Sequence, residues 1–320
     1  MRINQAKIAS ELGVSVITVS RALRNHPDLA EATKERILEK ARELGYTRLR
    51  TPKPSSTLRR AAVVFYGASQ VDPLASGVRR LIFFGLHQQC KVLNTETAIE
   101  MPSMSEVPAA VRNRSVEAVF LFGRYTAETV RALGDIPALA VSSYLEGIDI
   151  PRITADNFGG MRDAVNHLVE HGHKRVLFIR EEEPLTQIFR ERERGYEWVM
   201  RKNGMPVEVA TWNLESDPRP AILESLPRGS AIAFASDSLA GVAMDYLESK
   251  GWELPRDCSI VSFDDTAPAS RKLTSFSPDW TLMGKMAADL LLAWPGLPRR
   301  TPVEIRVPGR LSVKGSVVSV

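Results

Sequence analysis

Apolar residues recur at helical spacing three times within the first 46 residues. Ile8, Ala9 and Leu12 fall on one face of a stretch that Asn4 is placed to cap and Gly13 to end. Ser15 precedes a second stretch, Val16 to about Leu23, in which Val19 and Leu23 stand four apart and face inward. A third runs from Glu31 to Leu44, with Ile37, Leu38, Ala41 and Leu44 as its apolar stripe and Gly45 as its stop. Two short helices joined by a tight glycine-containing turn form a helix-turn-helix, whose second helix suits the DNA major groove.

The pattern then changes. Residues 47–60 combine Pro52, Pro54 and a Ser/Thr cluster, which reads as a linker rather than a helix. From Ala61 short apolar runs alternate with helical stretches. The runs are Ala61–Tyr66, Ala118–Phe122, Ala138–Val141, Arg175–Ile179, Ala231–Ala235 and Ser259–Phe263. The helical stretches include Gly160–His171, Arg192–Lys202 and Ser238–Lys250. This alternation predicts parallel sheets covered by helices on both faces. Its length exceeds what one sheet needs, so two similar lobes with a cleft between them are expected.

Composition narrows the function. Residues 1–60 hold 13 Lys and Arg against 6 Asp and Glu, whereas the remaining 260 hold 29 against 32. A basic head on a slightly acidic body points to a polyanion partner for the head alone, although a solvated charged surface also fits the charge by itself. With 44% hydrophobic and 25% charged residues the chain is of ordinary globular type, which excludes disorder and fibre. No apolar run reaches membrane length and no signal-peptide core opens the chain, so a cytoplasmic protein with no membrane partner is expected. Cys90 and Cys258 lie far apart and suit structural thiols in a reducing compartment. No metal site, phosphate-binding glycine loop or nucleophile elbow is found, so neither a cofactor nor enzymatic activity is expected.

The segment Lys7-Ile8-Ala9-Ser10-Glu11-Leu12-Gly13-Val14-Ser15-Val16-Ile17-Thr18-Val19-Ser20-Arg21-Ala22-Leu23 resembles the head of the lactose/galactose repressor family. The resemblance continues through Thr33-Lys34-Glu35-Arg36-Ile37 and Leu44-Gly45-Tyr46. In the body it resumes at Asp156-Asn157, His167-Leu168, Gly172-His173, Arg192, Gly195-Tyr196, Ala235-Ser236-Asp237 and Phe263-Asp264-Asp265. It closes with Leu273-Thr274-Ser275 and Leu311-Ser312-Val313-Lys314. The resemblance implies an α helix-turn-helix head plus an α/β two-lobed, periplasmic-binding-protein-like domain with parallel sheets. Its domains would be 1–46 for DNA, 47–60 as linker and 61–320 for effector and dimerisation. Lobe one would take about 61–154 and 278–307, and lobe two about 155–277 and 308–320. The implied function is a transcription regulator, a repressor, that binds a double-stranded DNA operator as a homodimer under control of a sugar-like effector.

By that resemblance Ser15, Val16, Ile17, Thr18, Ser20, Arg21 and Arg24 are the DNA-contacting residues. Val16 and Ile17 occupy the positions that choose the base sequence; lacking donors, they read thymine methyls and groove shape. Ser15 and Thr18 at the helix start suit phosphates. An apolar pair on a helix is ordinarily core, and that is the competing reading. For the effector the resemblance implies Arg192 and Asp264 as clamps, Trp280 and Trp212 as stacking aromatics, and Ser142, Phe122 and Asp237 nearby. Asp237 also fits a helix N-cap. Ser142 stands where the family commonly has an acid, and Arg124 and Arg180 are additional cations. They suggest an anionic effector unless they pair with Glu181, Glu182 or Glu183 at the surface. Helical stretches near Pro73–Gln89 and Met101–Asn113, with Phe83 and Phe84, are candidates for a dimer face or a buried core.

The linker departs from the family pattern. Where the family carries a hinge helix with a leucine that wedges into the minor groove, this chain has prolines and Ser55, leaving Leu49 or Leu58 as substitutes. Two other readings fit the two-lobed pattern: a solute-binding protein, disfavoured by the basic head, and an enzyme on the same fold.

Overall fold

The computed structural model describes residues 5–23, 29–44, 58–67, 74–143, 147–182, 187–213, 221–294 and 302–320. Asn4, Arg24, Gly45, Leu49 and the linker up to residue 57 lie outside them. The chain forms two compact units, Met1–Ser55 and Ser56–Val320.

The first unit holds α1 (Gln5–Leu12), α2 (Val16–Ala22) and α3 (Glu31–Glu43). Gly13, at φ 66°, turns the chain after α1, and the Val14 N–H donates back to the Ala9 carbonyl at 3.1 Å. The three helices enclose a core of Ile8, Ala9, Val19, Ala22, Leu23, Ile37 and Ala41. That core is small, so each member carries a large share of the unit's stability.

The second unit carries two sheets. The chain runs β1 (Arg60–Tyr66), α4 (Gly77–Val92), β2 (Glu96–Glu100), α5 (Ala109–Arg112), β3 (Ala118–Gly123), α6 (Ala127–Ala132), β4 (Ala138–Val141) and β5 (Arg152–Ala155). It then crosses to the second lobe. There follow α7 (Asn157–Glu170), β6 (Leu177–Glu181), α8 (Gln187–Lys202), β7 (Glu208–Trp212), α9 (Ala221–Glu224), β8 (Ser230–Phe234), α10 (Asp237–Ser249), β9 (Cys258–Phe263) and β10 (Thr274–Pro278). A return crossing leads into α11 (Trp280–Ala288) and β11 (Glu304–Val307), and a last one into β12 (Gly309–Ser312). The lobe-one sheet, ordered β11-β5-β4-β3-β1-β2, is parallel throughout. The lobe-two sheet is ordered β12-β10-β9-β8-β6-β7, with β12 antiparallel on an otherwise parallel sheet. Three crossings therefore join the lobes, and the first is tied to the third where Asp156 N–H donates to the Val307 carbonyl at 3.2 Å.

Both faces of the central strands are covered. Ala61, Val63 and Phe65 of β1 enter one core, and Ala62, Val64 and Tyr66 enter the other. Such two-sided burial is why these strands read as unbroken apolar runs rather than alternating ones. Helices α4 and α11 meet backbone to backbone. A Cβ at Gly85 would collide with the Thr281 carbonyl oxygen, and one at Gly284 with the Ile82 carbonyl oxygen.

Some boundaries differ from the sequence expectation. The helical stretch at Met101–Asn113 shrinks to Ala109–Arg112, because Pro102 and Pro108 remove amide donors and Pro108 sits at the helix start. Strand β6 begins at Leu177 rather than Arg175. Phe83 packs partly buried against the core, whereas Phe84 is 55% exposed. Leu58 packs against the body's core, and its carbonyl accepts from Thr95 Oγ1 at 2.9 Å.

Candidate functional site

Two regions contain the residues selected from sequence. In the head, Ser15 adopts the extended backbone of an N-cap, and its Oγ accepts from the Thr18 N–H at 3.0 Å. The two hydroxyls also bond at 2.8 Å. Thr18 N–H is thus already satisfied within the helix, which leaves hydroxyl oxygens rather than that amide facing outward. Val19, Ala22 and Leu23 are buried, whereas Val16 and Ile17 are 46% and 67% exposed. Ser20 is half-buried and Arg21 exposed on the same side of the helix. Two bare aliphatic side chains on a helix this short forfeit burial that its core stripe shows to be available, as is common where a surface meets a partner.

In the body, four of the residues converge at the junction of the lobes. Arg192 on α8 is only 3% exposed. Its Nε donates to Asn157 Oδ1 at 3.0 Å, Nη1 donates to the Ala235 carbonyl at 2.6 Å, and Nη2 lies 3.1 Å from Asp264 Oδ1. The guanidinium also stacks 3.7 Å above the Phe263 ring. Asp264 follows β9 with φ at 120°, and Asp265 follows at 53°. Such backbone persists only where surrounding contacts over-determine it. Those contacts come from Asp237, whose Oδ2 accepts from the N–H groups of Thr266 at 2.7 Å and Ala267 at 3.0 Å. Its Oδ1 accepts from Ser275 Oγ at 2.7 Å, and Ser275 Oγ in turn accepts from Asp265 N–H at 3.0 Å.

Burial pushes the Asp264 carboxyl up to about 7, with the nearby Asp237 charge adding to the rise and Arg192 opposing it. The N-cap reading of Asp237 is corrected: Ser236 caps α10 through Leu239 N–H, and Asp237 is the first helical residue. Its carboxylate holds the loop that follows Asp264.

Trp280 ties the lobes together. It opens α11 in lobe one, and its Nε1 donates to the Asp264 carbonyl of lobe two at 2.7 Å. With that donor engaged and the residue 3% exposed, Trp280 forms a fixed wall of the junction. Beside it runs a groove of about 590 Å³ whose lining includes Asp264, Asp265, Asp279, Trp280, Thr281 and Arg310. Carboxylates, a hydroxyl, a cation and an aromatic face together suit a hydroxyl-rich molecule.

The other three selected residues lie outside this cluster, at the ends of strands. Phe122 is the penultimate residue of β3 in lobe one, buried, its ring 4.8 Å from that of Phe65. Ser142 follows β4 at φ 50°, with its N–H donating to the Ile153 carbonyl at 2.9 Å. Trp212 is buried at the end of the edge strand β7, opposite Glu181. Arg180 pairs with Glu193 of α8 at 2.9 Å, and Glu183 lies outside the described residues.

One residue with a part in the cluster was quoted from sequence without a role. Asn157 sits just past the first crossing, and its Nδ2 donates to Thr154 Oγ1 and the Ala155 carbonyl, both at 3.0 Å, while Oδ1 receives Arg192. An Asn separated by one residue from a strand end, at the start of a helix, was the available signal. Among the described residues, no group of three or more His, Cys, Asp or Glu is placed to hold a metal, and no helix is long and apolar enough to cross a membrane.

Comparison with known proteins agrees with this arrangement. Residues 6–48 match the family described as bacterial regulatory proteins, lacI family, and residues 165–317 match a periplasmic binding protein-like domain. The transcriptional regulator GalR of Streptococcus thermophilus is 26% identical, with 97% of this chain and 98% of that protein covered. The lac repressor dimer bound to operator and the anti-inducer ONPF superimposes with a TM-score of 0.68 at 22% identity, all of both chains being covered. A complex of the transcriptional regulator CelR with cellobiose gives a TM-score of 0.65 at 22% identity, covering 98% of this chain and 100% of that one. The sequence motifs, the helix-turn-helix and the two-lobed parallel architecture lead to one conclusion: the chain carries a lacI-family DNA-binding domain followed by a periplasmic binding protein-like domain, and it is a DNA-binding transcription regulator.

Proposed function

We propose that this regulator is a repressor that binds a pseudo-palindromic operator as a homodimer, and that a sugar or sugar derivative between its lobes sets operator affinity. The observation that carries the effector half is the buried Arg192–Asp264 pair, joined across the junction by Trp280. A guanidinium and a carboxylate held on one rigid loop-and-helix frame present donors and acceptors to neighbouring hydroxyls. CelR, similar in fold, is bound to cellobiose.

In the head, Val16 and Ile17 read bases by apolar contact, while Ser15, Thr18, Ser20, Arg21 and Arg24 hold phosphates or base edges. In the body, Arg192 and Asp264 clamp the effector, Trp280 walls it, and Ser142, Phe122 and Trp212 shape the strand ends around it. Leu81 and Phe84 on α4 and Leu282 on α11, between 38% and 55% exposed, supply an apolar face for the second protomer. The working division is 1–46 for DNA, 47–60 as linker and 61–320 for effector and dimer, acting in the cytoplasm by binding and not by catalysis.

Effector binding shifts a population between lobe arrangements of different operator affinity, so its effect equals its differential affinity for them. Titrating the protein calorimetrically with a sugar panel, then repeating a gel shift on its upstream DNA with each binder, tests this. A sugar that binds and changes the shift supports the reading. Binding that leaves the shift untouched, or a protein with no DNA affinity, rejects it.

A further inference from the structure

Lobe one places two arginines at the cleft that the reading above leaves without a role. Arg124 follows β3 directly, and its N–H donates to the Tyr66 carbonyl at 3.4 Å, which fixes it at the carboxyl ends of β1 and β3. Arg79 lies in the first turn of α4, the helix that follows β1. That turn abuts lobe two: a Cβ at Gly77 would stand 3.0 Å from the Thr266 side chain, in the loop that carries Asp264. Arg79 is half-buried and Arg124 is exposed. Among the described residues, neither guanidinium has a hydrogen bond or an ion pair.

The two are within electrostatic reach of each other. Burial lowers the Arg79 pKa, Arg124 lowers it further, and Glu181 at the end of β6 pulls it back up. The neighbouring cations of lobe two are matched: Arg192 by Asp264, Arg180 by Glu193 and Lys314 by Asp265. One carboxylate against two arginines leaves an excess positive charge, part of it desolvated. Like charges gathered at a partly dry site are unfavourable in the free protein and favourable once an anion joins them. Planar guanidinium forks match carboxylate and phosphate oxygens in pairs.

We propose that Arg79 and Arg124 form the anion-binding end of the effector site, and that the effector is a polyol bearing a carboxylate or phosphate. The proposal rests on the effector reading above. Its hydroxyls meet the Arg192–Asp264 end and its charged group meets lobe one, so a single molecule spans both lobes. Bridging of this kind links binding directly to lobe closure.

Calorimetry on the full chain at low and moderate salt tests the idea, using D-glucose and D-galactose, their aldonic acids and their 6-phosphates. At least one anionic compound is expected to bind at least tenfold more tightly than its neutral parent, with affinity falling as salt rises. The aldonic acids and the 6-phosphates separate a carboxylate from a phosphate ligand. Arg79→Gln and Arg124→Gln are each expected to weaken that compound on the order of tenfold and its neutral parent little. Arg124 is exposed, so its variant folds even if Arg79→Gln does not, and a thermal melt of each confirms this. An anionic compound that binds no better than its parent, or that both variants bind like wild type, overturns the proposal while the effector reading stands. If no compound binds the folded protein, both fall together.

Discussion

Helix α2 and the Arg192 cluster are built in opposite ways. The helix exposes Val16 and Ile17 at 46% and 67%, on a scaffold held by Val19, Ala22 and Leu23 beneath. Its proposed contact face and its folding face share no residues. At the lobe junction, Arg192 and Asp264 are 3% and 7% exposed, and every bond they make also holds the fold together. There the proposed contact and the fold use the same set of atoms. The head is therefore free to change specificity at little cost in stability, whereas the body ties ligand choice to its own integrity.

That contrast breaks most readily at Arg192. Arg192→Ala strands Asp264 in a buried site and removes the donor to Asn157 Oδ1, and a loss on the order of 3 kcal/mol is expected in urea unfolding. A variant as stable as wild type would show that the cluster is not structural. Asp264 adds a pH signature. Its folded pKa of about 7 lies above the ordinary value of 3.8, so the protonated carboxyl is favoured by folding. The stability it contributes is full below pH 4 and is lost as pH rises through 7. Wild type should therefore lose stability between pH 4 and pH 8 relative to Asp264→Asn, in paired thermal melts. Parallel curves would refute the assignment.

Smaller effects follow. Gly284→Ala forces apart the α4–α11 contact and should cost about 1–3 kcal/mol by chemical denaturation. Ser15→Ala removes the α2 cap, with an expected loss of about 1 kcal/mol in the head. Val16→Ala with Ile17→Ala should alter stability by less than about 0.5 kcal/mol, because both side chains already face solvent. The same pair should change operator preference in a gel-shift selection. Unchanged preference would remove the two residues from base readout.

The legibility of the chain follows the same division. Strands β1, β3, β4 and β9 were readable because both faces are buried and only apolar residues serve. Strand β10, Thr274–Pro278, was not, although Thr274 and Ser275 are fully buried. Their hydroxyls are satisfied by Lys314 N–H and by Asp237, so polar residues occupy core positions without penalty and the apolar pattern is hidden. Edge strand β2, burying none of its five residues completely, likewise lacks a run to detect. At the site, the family resemblance singled out Arg192, Asp264 and Trp280. They did not disclose that Asp237 supports a loop, or that Asn157 joins Arg192 to the first crossing. Those roles depend on partners far apart in sequence, 157 with 192 and 237 with 266 and 275.

The contact of Gly85 with Thr281 and of Gly284 with Ile82 has a mechanical consequence. Where main chain rests on main chain, there are no side chains between α4 and α11 to yield by changing rotamer. The two helices then behave as one stiff lever. One end is Trp280, bonded to the Asp264 carbonyl of the opposite lobe. The outer surface of that lever carries Leu81, Phe84 and Leu282. A displacement at the junction reaches this surface undamped, so small adjustments around a bound molecule register as a shift of an entire exposed face.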